Sequence, residues 1–267
     1  MQQTETSKNS ERKKRDYTGA LDIVIFLVVF TLAWQVVFML KFYPSFLLPS
    51  PAQVLSRFVS LAENGSLQLA LYTTGYRLIA GFAISIVLGV GVGLVMASFR
   101  RFGRAMSSIA LGLQSFPSIA WVPFAILLIG LTDWGIIFVM IMSTVFSIML
   151  STYSGIRNIS PIYMKAAKNM GARRFSLLAG VMLPAAMPSF MIGLRQAWSF
   201  AWHALIGAEI LMATIGLGAI LALGGEFARM DEIIAAMITI FVLGLVVDRV
   251  LFYNLEKRVR SRWGLTA

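Results

Sequence analysis

From Leu78 to Phe99 the chain carries 22 consecutive residues without a charged side chain. As a helix this stretch rises about 33 Å, enough to cross a hydrocarbon core of ~30 Å. Lipid accepts such a segment because every interior backbone N–H and C=O is bonded within the helix. Comparable runs recur at Ile23–Leu40, Ala105–Thr132 and Trp134–Ile156, and more weakly at 185–212 and 233–253. Composition agrees: 58% of residues are hydrophobic and 13% charged, where a soluble domain has about 25% charged. A soluble enzyme and a disordered chain are both excluded. The expected fold class is an all-α polytopic membrane protein with six transmembrane helices.

The basic residues give an orientation. The tail before Thr18, the Arg100/Arg101/Arg104 loop, the 157–184 loop and the last residues together hold seventeen Lys and Arg. The alternate segments hold three, namely Lys41, Arg57 and Arg229. By the positive-inside rule this bias puts both termini in the cytoplasm, as an even number of spans requires. Basic clusters between apolar runs are not a nucleic-acid-binding face.

The organisation read from the chain is a cytoplasmic basic tail at 1–20, a first transmembrane helix at 21–40, and an outer loop at 41–66. A five-helix domain follows at 67–253, then a basic tail at 254–267. Ser50-Pro51 reads as an N-cap followed by proline in the first turn. Val54, Leu55, Phe58, Val59 and Ala62 then form one face of a short interfacial helix. Gly81, Ser85, Gly89, Gly93 and Ala97 recur every four residues, a ridge against which another helix can pack closely. Pro117 and Pro123 kink the third span, and 216–225 reads as a glycine-rich connection. Asp231 and Glu232 read as a solvated outer loop.

Enzymatic chemistry finds no support. Cysteine is absent and there is one histidine, so disulfides, thiolate ligands and a multi-histidine metal site are excluded. There is no phosphate-binding loop, no His-Glu-x-x-His and no Gly-x-Ser-x-Gly. No catalytic, cofactor-binding or metal-ligating residues are expected. One class left open is a self-contained secondary transporter or channel. Such transporters often carry internal repeats, and none is visible.

Lys165-Ala166-Ala167-Lys168-Asn169-Met170-Gly171, followed after nine residues by Val181-Met182-Leu183-Pro184, is the most informative segment. It resembles the E-A-A-x3-G-x9-I-x-L-P loop of permease subunits of binding-protein-dependent ABC importers. Two positions depart from that pattern: Lys165 stands for the family glutamate, and Val181 for isoleucine. Leu47-Leu48-Pro49-Ser50-Pro51, Phe116-Pro117-Ser118-Ile119-Ala120-Trp121-Val122-Pro123, Gly193-Leu194-Arg195 and Ala208-Glu209 look like the nitrate/sulfonate/taurine/bicarbonate branch. The resemblance covers roughly 46–265. It implies a type I (MetI-like) fold, a second permease subunit, a cytoplasmic ATPase dimer that carries ATP and Mg, and an external binding protein. It also implies the bacterial inner membrane, with Lys165, Ala166, Ala167, Gly171, Val181, Leu183 and Pro184 in the loop that couples to the ATPase.

Polar and aromatic residues inside spans are candidates for the path. Arg195, Trp198, Trp202 and Glu209 fall at offsets 0, 3, 7 and 14, within about 60° of one another on a helix. One reading lines the translocation path with them, Arg195 drawing in an anion and the tryptophans forming a gate. The other makes Arg195 and Glu209 structural. His203 reads as a helix–helix hydrogen-bonder or a substrate ligand. Phe116, Pro117 and Trp121 sit where proline frees backbone carbonyls, a pattern tolerated where it lines a cavity.

Overall fold

The structure, a computed structural model, describes residues 2–212 and 214–255, and among these there is helix and no strand. The helices in chain order are α1 (Gln2–Met39), α2 (Pro51–Glu63), α3 (Ser66–Ser98), α4 (Arg100–Gln114), α5 (Val122–Ile129) and α6 (Asp133–Arg157). After them come α7 (Pro161–Asn169), α8 (Arg174–Leu177), α9 (Leu183–Met212), α10 (Leu217–Glu226) and α11 (Met230–Val247). Short π-helical turns at Leu178–Met182 and Asp248–Phe252 precede α9 and follow α11. Most of the 254–267 tail lies outside the described residues.

Four helices are long and apolar enough to cross a membrane by themselves, and six spans result if two bent pairs each count as one. The bent pairs correct the sequence reading. The expected single kinked span at Ala105–Thr132 is two helices, α4 and a segment from Ser118 to Ile129, set at 99°. Pro117 supplies no N–H, and it disfavours helical geometry at Phe116, so the chain turns sharply there. α4 also begins at Arg100, so the three arginines sit on its first turns and not in a loop. The glycine-rich connection is helix α10, bent by 47° from α9. Glycine serves close approach here: a methyl at Gly218 would lie 2.5 Å from the Glu209 Cβ, and one at Gly224 2.7 Å from Ile233.

α6 is the central post, packed between α3 and α9. The small-residue ridge of α3 does what its spacing predicts. Gly81 faces Met140, Gly89 faces Ile148, and Gly93 faces Thr152, while Thr144 donates a 2.6 Å hydrogen bond to Ser85. On α9, Ala197, Ala201, Ala204 and Ala208 are fully buried and give a second flat ridge. The core between them contains Ile136, Val139, Met140, Ile148, Leu205 and Trp198.

α2 packs differently from expectation. Ser50 accepts from the Gln53 N–H and the Gln53 side chain accepts from the Ser50 N–H, closing a capping box. Val54 and Leu61 are buried against Leu217, Ile220, Ala235 and Ala236. Leu55 and Val59 point outward. The inward face is therefore Val54–Phe58–Leu61, which a purely interfacial helix would have given to lipid. Glu232 is buried as well, not solvated: it accepts from Arg57 at 2.6 Å and from Arg229 at 3.1 Å. The span of α1 from Leu21 to Met39 has no buried residue, and the Trp34 indole N–H ties it to the segment before α2 by donating to the Pro49 carbonyl at 3.0 Å.

Candidate translocation groove and coupling loop

Three helices each carry an uncharged polar stripe at helical spacing, and the fold brings the stripes together. α4 contributes Ser107 and Gln114; α6 contributes Ser143, Ser147, Ser151 and Ser154; α9 contributes Ser189, Gln196 and His203. The serines of α6 follow i, i+4, i+8, i+11, one face of the helix over about 16 Å. Two adjoining cavities share Gln114. One, of about 590 Å³, runs past Ser147, Ser151, Ser154, Ser189 and Gln196. The other, of about 150 Å³, lies at the α4–α5 break and is lined by Phe116, Ser118, Ser143, Phe200 and His203 among others. Among the described residues, no Asp, Glu, Lys or Arg lines either cavity.

The hydroxyls of Ser107 and of the α6 serines each donate to a backbone carbonyl. Ser143 donates to the Val139 carbonyl at 3.0 Å, Ser151 to Ile148 at 2.9 Å and Ser107 to Arg104 at 2.9 Å. A hydroxyl rotates freely about its C–O bond, so each donor can turn from its own helix to a passing solute. The Ser147 hydroxyl donates across to the Gly193 carbonyl of α9 at 3.4 Å. His203 Nδ1 lies 2.7 Å from the Ser199 carbonyl. A carbonyl only accepts, so Nδ1 carries a proton and Nε2 is left for another partner.

The stripe expected to line one surface is divided among three environments. Trp198 is core: it packs edge-on to Phe82 at 5.1 Å and against Phe252 at 5.6 Å. Trp202 is half-buried beside it, ring centroids 6.1 Å apart. Both indole N–H groups are buried without a partner. Arg195 is half-exposed and makes a two-bond pair with Asp248, Nε to Oδ1 at 2.8 Å and Nη2 to Oδ2 at 2.7 Å. Trp121 lies between Phe116 and Phe124, ring centroids 5.8 and 5.9 Å away.

Glu209 is fully buried in a polar cluster and faces no groove. Arg77 Nη1 donates to it at 2.7 Å, Thr74 at 3.0 Å, and the Gly218 N–H at 2.9 Å. Arg77 also donates to Asp133 Oδ1 and to the Ile215 carbonyl at 2.6 Å. Glu209 thus anchors the start of α10, where a negative group suits the helix N-terminus, and Arg77 ties α3 to α6 and α9. Sequence reading missed Arg77 as a participant because the second span was expected to start at Leu78, whereas α3 starts at Ser66. The serine stripe of α6 was missed too, although its 4-4-3 spacing is visible in the sequence.

The coupling-type segment folds as α7, a bend and α8. α7 contains Lys165, Ala166 and Ala167; Ala167 is buried and Ala166 exposed. Gly171 has φ +86°, a conformation that disfavours any side chain. The bend is closed by the Ala172 N–H donating to the Ala167 carbonyl at 2.9 Å. Val181 lies in the π-helical turn, and Leu183 and Pro184 open α9. Ile162 and Tyr163 at the start of α7 and Met170 before Gly171 are 68, 59 and 88% exposed.

The molecule is thus a helical membrane bundle with a broken third span and a helix–bend–helix loop. The chain belongs to the family of binding-protein-dependent transport system inner membrane components, whose model matches residues 85–261. It is 32% identical to a protein described as the aliphatic sulfonates transport permease SsuC of Escherichia coli K12, over 86% of this chain and 87% of that one. It is 26% identical to the nitrate import permease NrtB of Synechocystis sp., over 76% and 77%. Inward-facing structures of the MetNI methionine ABC transporter share the fold, with a TM-score of 0.59 at 18% identity over 73% of this chain and 95% of that one. The chain is thus an ABC importer permease of the nitrate/sulfonate/taurine branch.

Proposed function

We propose that this chain pairs with a second permease subunit, as a homodimer, to form the translocation path for a small anion such as nitrate, a sulfonate or taurine. An external binding protein delivers the anion. A cytoplasmic ATPase dimer, which carries ATP and Mg, docks on α7 and drives alternating access. The setting is the bacterial inner membrane, with both termini cytoplasmic. The path is the groove of α4, α6 and α9. Gln196, Ser199 and His203 are exposed on α9 in the single chain, and polar side chains at that depth face water or protein, not lipid. A second subunit closing over this face gives them that environment. Trp202, Phe116, Pro117 and Trp121 narrow the path near the α4–α5 break, and Arg195 with Asp248 stands at its edge.

The observation that carries the reading is the α7 loop, where Ile162 and Tyr163 at the start of the helix and Met170 before the Gly171 bend are exposed. An apolar display on a basic loop is a docking face, and in this family the docked partner is the motor. The test is co-purification of the ATPase with Tyr163→Asp and Met170→Asp variants, both at surface positions. The expected result is loss of the ATPase and of uptake, with insertion and permease dimerisation intact. Retention of a full complement of ATPase by both variants would refute the assignment. Gly171→Pro and Ala167→Trp are expected to act in the same direction.

A further inference from the structure

We infer that His203 Nε2 is an acceptor that reads a hydrogen-bond donor on the passing solute, and that this solute is a zwitterion, an aminoalkanesulfonate, in preference to a bare anion. This rests on the groove being the path and narrows what the groove carries.

The first observation is the state of the ring. His203 Nδ1 lies 2.7 Å from the Ser199 carbonyl, so Nδ1 holds the proton. An uncharged imidazole has one N–H and one lone pair. Within a membrane span the uncharged ring is the form that costs least. Nε2 is therefore a lone pair that accepts and does not donate. The bond from Nδ1 to the preceding turn of α9 holds the ring in place. His203 is exposed in the single chain and lines the smaller cavity, at the α4–α5 break.

The second observation is the rest of the lining. Gln114, Ser118 and Ser143 carry groups that donate as well as accept. Phe116 and Phe200 supply aromatic rings, whose faces attract a cation. Among the described residues, no charged side chain lines the cavity. A bare anion finds donors here but no counter-charge, and it leaves the Nε2 lone pair unmatched. A zwitterion brings its own counter-charge. Its sulfonate oxygens accept from Ser118, Ser143 and Gln114, while its ammonium donates to Nε2 and lies against the phenylalanine rings. A buried acceptor that one solute satisfies and its analogue does not is a source of selectivity. The ring keeps the same proton throughout.

The test compares taurine, an aminoethanesulfonate, with ethanesulfonate, which lacks only the amine, in proteoliposomes of the complete transporter. The readout is the taurine-to-ethanesulfonate uptake ratio of each variant relative to wild type, in which the selectivity of the unchanged binding protein cancels. His203→Leu removes the acceptor and is expected to lower that ratio about tenfold, equivalent to one interaction of ~1.4 kcal/mol. His203→Gln, which restores an acceptor oxygen, is expected to recover part of it. Loss of folded protein lowers both uptakes together, so the ratio is still read on what remains. His203 is the one histidine of the chain. Nitrogen NMR of a permease labelled at histidine, assembled with unlabelled partners, therefore reports this ring alone. An unprotonated Nε2 whose signal moves with taurine and not with ethanesulfonate is the expected signature. A protonated Nε2 in the solute-free transporter, or an unchanged ratio in His203→Leu, overturns the assignment of His203. Wild-type transporter that imports no taurine overturns the solute class. Ser143→Phe, which fills the cavity, tests the path itself. Normal uptake of both solutes in that variant overturns the path reading and this inference with it. Blocked uptake there, with an unchanged ratio in His203→Leu, overturns the inference alone.

Discussion

The two arginine–carboxylate pairs built on α9 are opposites. Arg77–Glu209 is sealed, with side chains 2% and 0% exposed, and each partner makes further hydrogen bonds to Thr74, Asp133, Ile215 or Gly218. Arg195–Asp248 is open, at 49% and 40%. The same chemical pairing therefore does different work. A sealed pair cannot be broken without stranding a charge, so it fixes which helices meet. An open pair exchanges with water at small cost, so it can rearrange while the bundle stays intact. In a transporter the first suits the part that moves as a body and the second suits a boundary that moves.

The largest effect belongs to the sealed pair. Arg77→Ala is expected to destabilise the chain by about 3–5 kcal/mol, because Glu209 would remain buried without its cation. Thermal unfolding in detergent and loss of a monodisperse preparation would report it. Arg77→Met combined with Glu209→Met removes both charges and is expected to recover much of the loss, since well-packed apolar replacements are often close to neutral. A double variant as unstable as Arg77→Ala would show that the pair acts through its hydrogen bonds to α10 and not through charge balance.

A smaller effect sharpens the contrast at the α3–α6 contact that the sealed pair helps hold. At Gly89 a methyl would sit 2.7 Å from Ile148 Cβ, whereas at Gly91 it would meet nothing within 4 Å. Gly89→Ala is expected to cost about 1–3 kcal/mol by forcing the helices apart. Gly91→Ala is expected to be neutral or slightly stabilising, since alanine is the better helix former. Equal effects at the two positions would mean that α3 does not use this ridge.

What the sequence reveals follows from what is periodic in it. The apolar runs at 23–40, 78–99 and 134–156 and the α3 ridge are local patterns of fixed spacing, and the structure follows them. The sealed cluster is not local. Thr74, Arg77, Asp133 and Glu209 are separated by up to 135 positions, and only packing brings them together. Helical phase puts Glu209 and Arg195 on nearby faces, but a 30-residue helix passes several neighbours along its length. Its phase alone does not decide which neighbour a residue meets. The sharp break at Pro117 was underestimated for a related reason: proline tells where a helix ends, not the angle at which the next begins. The α6 serines were legible, but hydroxyls inside a span satisfy their own helix's carbonyls, so their spacing drew no attention.

The smallest expected effect on stability is at the open pair. Arg195→Gln leaves Asp248 half-exposed to solvent, so the folded chain is expected to lose no more than about 0.2–1 kcal/mol. Uptake is the discriminating readout. If Arg195 guides an anion at the edge of the groove, Arg195→Gln lowers uptake while Asp248→Asn, which keeps the guanidinium, does not. If the pair instead latches α9 to the turn after α11, both variants change uptake alike, and exchanging the two residues as Arg195→Asp with Asp248→Arg restores it. A large loss of assembly in Arg195→Gln would contradict both, because a pair this open would then be holding the fold in the way the sealed one does.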